Sequence, residues 1–352
     1  MKIGFLIYGS LDTLSGGYLY DRKLVEYLRA QGDTVEIISL PWRNYAAHLT
    51  DNFTFRLPSD LDILIEDELN HPSLINANRK PHPYPIISLV HHLRCSELRP
   101  KWQNDMYRVV EKEYLQTVDG FIFNSKTTKD VVNGLLNHEK PSVLAYPPTD
   151  RFGDAISEDE IKSRAAQGLL QILFLGNVMA RKGLLTLLKA VNSQRSTVKL
   201  DVIGSLTTEP AYTKQVQHFI ESNHLSSFVL LHGSLNNDPL REKLRQAHVL
   251  IVPSSYEGFG IVYLEGMGFG LPAIGTTAGA AGEIIEHGKT GYLIEPNDSN
   301  ALAGYISQLA EGRNLLTQLS LNARRRYLQQ PAWTETAAQI RTFLGSMIST
   351  HE

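Results

Sequence analysis

The stretch PSSYEGFGIVYLEGMGFGLPAIG, residues 253–275, sets two carboxylates in an apolar, glycine-rich frame. Glu257 stands before a Gly-Phe-Gly turn, and Glu265 follows with seven residues between them. Glu265 is the sole charged residue of 258–282, and Gly266, Gly268 and Gly270 around it permit close packing. A carboxylate among Ile261, Val262, Leu264 and Met267 is costly to bury unless donors or a cation meet it, and a ligand's hydroxyl groups can serve as donors. The plainer alternative for Glu265 is a helix-edge carboxylate that meets a lysine or a backbone donor. Glu257 differs in lying beside a helix start, where backbone N–H groups can hold an anion.

Three further sets have types and positions suited to chemistry. Arg181 and Lys182 lie in a loop framed by Gly176 and Gly183, between an apolar run and a helix-like stretch. Before a helix such a pair is commonly just solvated surface, while the glycines framing a strand-to-helix loop favour a functional role. Gly16 and Gly17 follow the first apolar run by a loop too long for a G-x-G-x-x-G fingerprint, which argues against a nicotinamide dinucleotide site. Adjacent glycines before a helix allow close backbone approach to a phosphate or sugar, and equally suit an ordinary turn. His91 and His92 end the run PIISLV, and alternation along a strand would send them to opposite faces.

Other candidates read as structural. Asp60 and Asp62 form a D-x-D pair that precedes its strand, on the wrong edge for a metal site, so a solvated turn is expected. Glu66, Asp67 and Glu68 end a strand, where they could meet hydroxyl groups or form a polar loop. Arg324, Arg325 and Arg326 fall in a helical stretch and are expected on its solvent face. No Cys/His spacing suggests zinc.

These residues need a scaffold that brings strand ends together. Short apolar runs recur, each followed by Gly, Ser, Asn or Pro and then a helix-like stretch: KIGFLIYGS, TVEIISLP, LDILIEDE, PIISLVHH, GFIFNS and SVLAYPP, then LQILFLGN, VKLDVIGS, FVLLHGS, HVLIVPS, LPAIGTT and TGYLIEP. Runs apolar on both faces fit parallel strands covered by helices, so two doubly wound α/β units are expected. The break falls in the polar segment 149–169, which reads as a linker or first helix. In such sheets, ligands bind beyond the carboxyl ends of the strands.

Composition sets the outer bounds. The 352 residues, 42% hydrophobic and 20% charged, suit about two ordinary globular domains. Cys95, the one cysteine, excludes an intramolecular disulfide. A net charge of −3 argues against a nucleic-acid grip, which usually needs a basic excess. The opening MKIGFLIYGS is too short for a signal peptide, and no run approaches the roughly 20 apolar residues of a membrane span. A cytoplasmic protein is the expectation.

The frame E-G-F-G-x-x-x-x-E from Glu257 to Glu265 resembles the signature of glycosyltransferase family 4, retaining enzymes of GT-B fold that use nucleotide sugars. The likeness extends to ILFLGNVMARKGLLTLLKAV, LDVIGS, LLHGSL and GEIIEHGKTGYLIEPND, to Trp333 where the family starts its closing helix, and to the glycine loop of GSLDTLSGGYLYDRKLVEYL. It implies two facing Rossmann-like domains: 1–150 on the acceptor side, joined by a C-terminal helix 335–352, and 151–334 binding the nucleotide sugar. It implies that Glu265 binds the donor ribose and Glu257 the hydroxyls of the transferred sugar. The turn Gly258, Phe259 and Gly260 would present N–H groups to sugar and diphosphate, and Lys182 would neutralise the diphosphate. Gly16 and Gly17 would lie against that diphosphate, and His91, favoured over His92, would touch the donor sugar and orient the acceptor. The family's arginine after Gly176 is here Asn177, which can donate a hydrogen bond without charge; either Arg181 compensates or backbone donors hold more of the donor phosphate.

The resemblance therefore implies transfer of a sugar, with retention, from a nucleotide diphosphate sugar to a glycan, lipid-linked or small-molecule acceptor. No metal cofactor and no nucleic acid are expected, and a peripheral contact with the inner face of a membrane is compatible with it. Two alternatives stand beside it: a catalytically silent nucleotide-sugar-binding protein, and another GT-B chemistry such as sugar-nucleotide epimerisation.

Overall fold

The computed structural model describes all residues except Leu14, Thr149, Asp154, Ala155 and Glu352. It divides into two compact units: unit 1, Met1–Pro148 with Pro331–Glu352, and unit 2, Thr149–Gln330. Residues 331–334 thus belong with unit 1.

Unit 1 holds β1 (Lys2–Tyr8), β2 (Thr34–Leu40), β3 (Ile63–Asp67), β4 (Ile86–Val90), β5 (Gly120–Phe123) and β6 (Ser142–Leu144). They form one parallel sheet in the order β2-β1-β3-β4-β5-β6. Alternation along each strand splits its side chains between two cores. Ile3, Phe5 and Ile7 of β1, with Ile63 and Ile65 of β3, pack under the helices Gly16–Ala30 and Trp333–His351. Leu6, Tyr8 and Leu64 enter the opposite core, which includes Tyr114 and Leu115 of the helix Lys101–Thr117. Burial on both faces explains why these strands read as unbroken apolar runs rather than alternating ones.

Unit 2 holds β7 (Leu170–Leu175), β8 (Val198–Ile203), β9 (Val229–Gly233), β10 (Val249–Ile251), β11 (Ala273–Thr276) and β12 (Gly291–Ile294). Their order is β12-β11-β10-β7-β8-β9, again all parallel. The two doubly wound α/β sheets expected from the sequence are present.

The segment 149–169, where Thr149, Asp154 and Ala155 lie outside the described residues, contains a short turn at Asp150–Phe152 and the helix Glu158–Ala165. That helix starts with a capping box: Ser157 Oγ accepts from Glu160 N, and Glu160 Oε2 accepts from Ser157 N. The closing helix begins at Trp333, the start the resemblance placed there and two residues before the domain bound of 335, with Glu335 reaching back to accept from Ala332 N at 2.9 Å. Glu352, expected in it, lies outside the described residues.

Candidate functional site

Chain order reverses direction once in each sheet. In unit 1 the reversal lies between β1 and β3, and in unit 2 between β7 and β10. Loops on either side of such a switch point diverge, opening a crevice beyond the strand ends. The chemistry-bearing residues lie after these strands.

In unit 2, the loop after β7 supplies Gly176, Asn177, Arg181 and Lys182, and the loop after β10 supplies Ser254 and Glu257. Lys182 Nζ donates to Glu257 Oε1 at 2.5 Å, and Ser254 Oγ donates to the same oxygen. Arg181 Nη1 lies 3.8 Å from Glu257 Oε2 and donates to Tyr256 O at 2.8 Å. Burial alone would raise the Glu257 carboxyl, but the charges of Lys182 and Arg181 and the hydrogen bonds bring it down to about 2. Burial also pulls the Lys182 ammonium below its usual value, against the opposing pull of Glu257. Glu257 is therefore an ionised anion whose countercharge is a partly desolvated lysine.

Backbone shape holds the two loops together. Gly183, at φ 71°, lies so close to Pro253 that an added Cβ would stand 2.1 Å from its carbonyl oxygen. Ser255 N donates to Arg181 O at 2.7 Å, and Ala280 N to Glu257 O at 2.8 Å. Gly258, Phe259 and Gly260 lead into the helix Ile261–Gly268, with Gly260 at φ 92° as its N-terminal cap and Phe259 buried. Asn177 accepts from Ser205 N through Oδ1 at 3.1 Å, which ties the loop after β7 to the loop after β8. Its side-chain oxygen thus braces the loop.

Glu265, 3% exposed, is met by Arg151, whose Nη1 donates to Oε1 at 2.7 Å. Burial raises the carboxyl above its usual value, and Arg151 opposes that rise. Arg151 also donates to Asn237 Oδ1 at 3.0 Å. The expected carboxylate partner thus exists as an arginine from the segment after β6. Nothing in the local sequence around Arg151 marks it out.

In unit 1, Asp67 ends β3, Glu68 follows it, and His91 follows β4. All three are buried, as is Asp21 on the helix Gly16–Ala30. His91 Nε2 and Asp21 Oδ1 lie 3.0 Å apart, and Glu68 Oε2 accepts from His91 N at 2.9 Å. Burial raises Asp21 to about 8, Asp67 to about 7 and Glu68 well above its usual value, and lowers the His91 imidazole. Gly16 and Gly17 open the helix, and a Cβ on Gly17 would stand 3.2 Å from His91 Cδ2. His92 instead faces Glu97, with Nε2 and Oε1 3.0 Å apart, at a more exposed position. Asp21, Asp67 and His91 form the one grouping of three or more His, Cys, Asp or Glu among the described residues whose ligand atoms all lie within 4.8 Å of one another. With Nε2 engaged by Asp21, the grouping is built as a hydrogen-bonded set.

Two sequence expectations change, and one residue was missed. Glu66, Asp67 and Glu68 are not a polar loop: all are buried, with Asn78 Nδ2 donating to Glu66 Oε2 at 3.0 Å. Arg324 and Arg326 do not simply face solvent, since they donate to the carbonyls of Ile156 and Glu283 at 3.0 and 3.2 Å. Asp21 was missed, although the sequence held a signal: it occupies the buried stripe of its helix with Leu24, Val25 and Leu28, where an apolar residue belongs. Asp60 is exposed beside Lys2, and Asp62 accepts from Lys2 N, in keeping with a turn.

Comparison with known proteins adds the class. Residues 156–326 match the family model Glycosyl transferases group 1. An uncharacterized glycosyltransferase of Methanocaldococcus jannaschii is 25% identical over 267 residues, 72% of this chain and 67% of that one. The capsular polysaccharide biosynthesis glycosyltransferase CapM of Staphylococcus aureus is 28% identical over 49% of this chain, and the match spans 46% of its own length, less than half. Among solved structures, sucrose-phosphate synthase of Thermosynechococcus elongatus superposes with a TM-score of 0.83 at 18% identity, covering 99% of both chains. Anabaena HepE in complex with UDP-glucose gives 0.76 at 18%, covering 98% of this chain and all of that one. The structural likeness is one of fold, two Rossmann-like domains of the GT-B class, as the sequence led us to expect. The family model and the relatives indicate a glycosyltransferase enzyme. Among the described residues, no helix is long and apolar enough to cross a membrane.

Proposed function

We propose that this chain is a retaining glycosyltransferase of family 4 that moves a sugar from a nucleoside diphosphate sugar to a glycan, lipid-linked or small-molecule acceptor. The observation that carries the reading is the Lys182–Glu257 pair at the switch point of unit 2. A half-buried lysine beside two diverging loops is the charge a departing diphosphate needs, and it acts most strongly in the transition state. Lys182, helped by Arg181 and by backbone N–H groups of Gly258, Phe259 and Gly260, takes the place of a metal ion. Glu257 accepts from hydroxyls of the transferred sugar, and Glu265 from the ribose, each already desolvated and held by a fixed cation. Asn177 holds its loop in shape. Gly17 gives unit 1 close backbone approach, and His91 orients the acceptor.

In this reading the acceptor attacks the face that the diphosphate leaves, and a phosphate oxygen receives the acceptor's proton. A separate strong base is not required. The HepE structure with UDP-glucose supports a nucleotide-sugar donor. A lipid-linked acceptor met at a membrane surface is favoured by the exposed Leu98, Trp102, Met106 and Val109, whose segment also carries Arg99, Lys101 and Arg108.

Release of nucleoside diphosphate from a panel of nucleotide sugars, with and without acceptors, tests the proposal. Turnover with one donor, abolished in Glu265→Ala and Lys182→Ala, is expected. Donor binding by calorimetry with neither transfer nor slow hydrolysis would overturn it in favour of a silent binding protein.

A further inference from the structure

We propose that Asp21 and Asp67 are positioning residues for His91: one buried proton bridges their carboxyls, so that Asp21, ionised, accepts the Nε2 proton of the imidazole and fixes its ring and tautomer. This rests on the reading above only in assigning His91 to sugar transfer.

Each carboxyl has one oxygen engaged. Asp21 Oδ1 faces His91 Nε2 at 3.0 Å, and Asp67 Oδ1 accepts from Leu69 N at 2.9 Å. The second oxygens, Asp21 Oδ2 and Asp67 Oδ2, are buried with no partner among the described residues. Buried polar atoms need partners, and two ionised carboxylates side by side repel strongly. A single proton, covalently on Asp67 and donated to Asp21, satisfies both oxygens and removes one of the two charges. The charge stays on Asp21 because its other oxygen faces an imidazole donor.

Burial raises both carboxyls, which agrees with a proton retained at neutral pH. Glu68 and the hydroxyls of Tyr18 and Tyr20 are the other titratable groups of the surroundings, with Arg22 the cation acting on Asp21. Tyr18 and Tyr20 donate to the carbonyls of Tyr8 and Ala145, so neither bridges the two aspartates. Gly17 against the ring edge and the T-shaped contact with Tyr20, 5.5 Å between centroids, confine the imidazole further. With Nε2 protonated, Nδ1 is the ring's acceptor, available to a hydroxyl donor.

The test is nitrogen NMR of protein labelled with 15N-histidine, which needs no substrate. Wild type and Asp67→Asn should show His91 protonated at Nε2 and bare at Nδ1 at neutral pH, because the asparagine amide donates to Asp21 as the protonated carboxyl does. Asp67→Ala and Asp21→Ala should lose that single tautomer while keeping their circular dichroism. With a donor in hand, Asp21→Ala should lower kcat at least about tenfold with little change in KM, as for other residues that orient a reacting group. Loss of the tautomer in Asp67→Asn, its survival in Asp21→Ala, or stoichiometric zinc or manganese in the wild type would each overturn the proposal. An inactive wild type with the expected spectrum would count against the sugar-transfer reading alone.

Discussion

Arg151 Nη1 and Glu265 Oε1 meet at 2.7 Å across 114 residues of chain, and the glutamate is the more deeply buried of the two. Removing the arginine leaves a carboxylate with no countercharge in an apolar helix. Arg151→Met should cost about 3 kcal/mol, the usual loss when one partner of a buried pair is deleted. The deficit has a pH signature. Glu265 is already raised by burial, so without Arg151 it rises further, and the unfolded chain loses its proton first as pH increases. The variant's deficit should therefore grow from pH 5 to pH 8 in urea unfolding; a constant deficit would contradict the pairing.

Glu257 carries the opposite sign. Its carboxyl is held at about 2, below the ordinary 4.5, so its contribution is complete above the unfolded value and is lost as pH falls toward the folded one. Between pH 5 and pH 2, wild type should lose stability more steeply than Glu257→Gln. Parallel profiles would show that Lys182 and Arg181 do not hold that charge.

The acids of unit 1 should make the protein prefer acid over the neutral range. Burial raises the carboxyls of Asp21 and Asp67 from 3.8 to about 8 and about 7, so the folded pair keeps between them a proton that the unfolded state has released. Their effect is to lower stability as pH rises from about 4 toward these values, after which it levels off. Melting temperatures across pH 5 to pH 8 should fall less in Asp67→Asn than in wild type. An equal fall in both would place the titrating groups elsewhere.

Two glycines should respond oppositely to alanine. Gly183 combines φ 71° with the Pro253 carbonyl at 2.1 Å from an added Cβ, and neither backbone can give way cheaply. Gly183→Ala should cost at least about 1–2 kcal/mol and impair turnover through the Lys182 loop. Gly304, exposed within the helix Ser299–Glu311, has nothing near an added Cβ, so Gly304→Ala should stabilise by about 0.5–1 kcal/mol. Thermal melts of the two variants check both.

The strands were legible because burial on both faces leaves them as unbroken apolar runs such as KIGFLIY. The glutamates were legible because a charged side chain in an apolar, glycine-rich stretch is costly to bury without a partner, and Lys182 only through the resemblance of its glycine-framed loop. Their partners were less so. Arg151 sits in a polar segment where one more arginine means nothing until the fold brings it to Glu265. For Asp67 and Glu68 the sequence left both hydroxyl contacts and a polar loop open, because local composition does not reveal that the helix Gly16–Ala30 and the turn after β4 cover them. Burial at a strand end is a property of neighbours distant in sequence.

Unit 1 is assembled from two stretches of chain separated by the whole of unit 2. Trp333, Ile340 and Leu344 complete the core that Ile3 and Phe5 begin, and Arg341 closes on Asp33 at 2.7 Å. During synthesis the first 148 residues must therefore wait, with one apolar sheet face only partly roofed by the helix Gly16–Ala30, until some 180 further residues have been made. Unit 2, continuous in sequence, faces no such delay. The N-terminal unit is thus the later of the two to finish, and nascent chains stalled within unit 2 present to chaperones a sheet lacking its last helix.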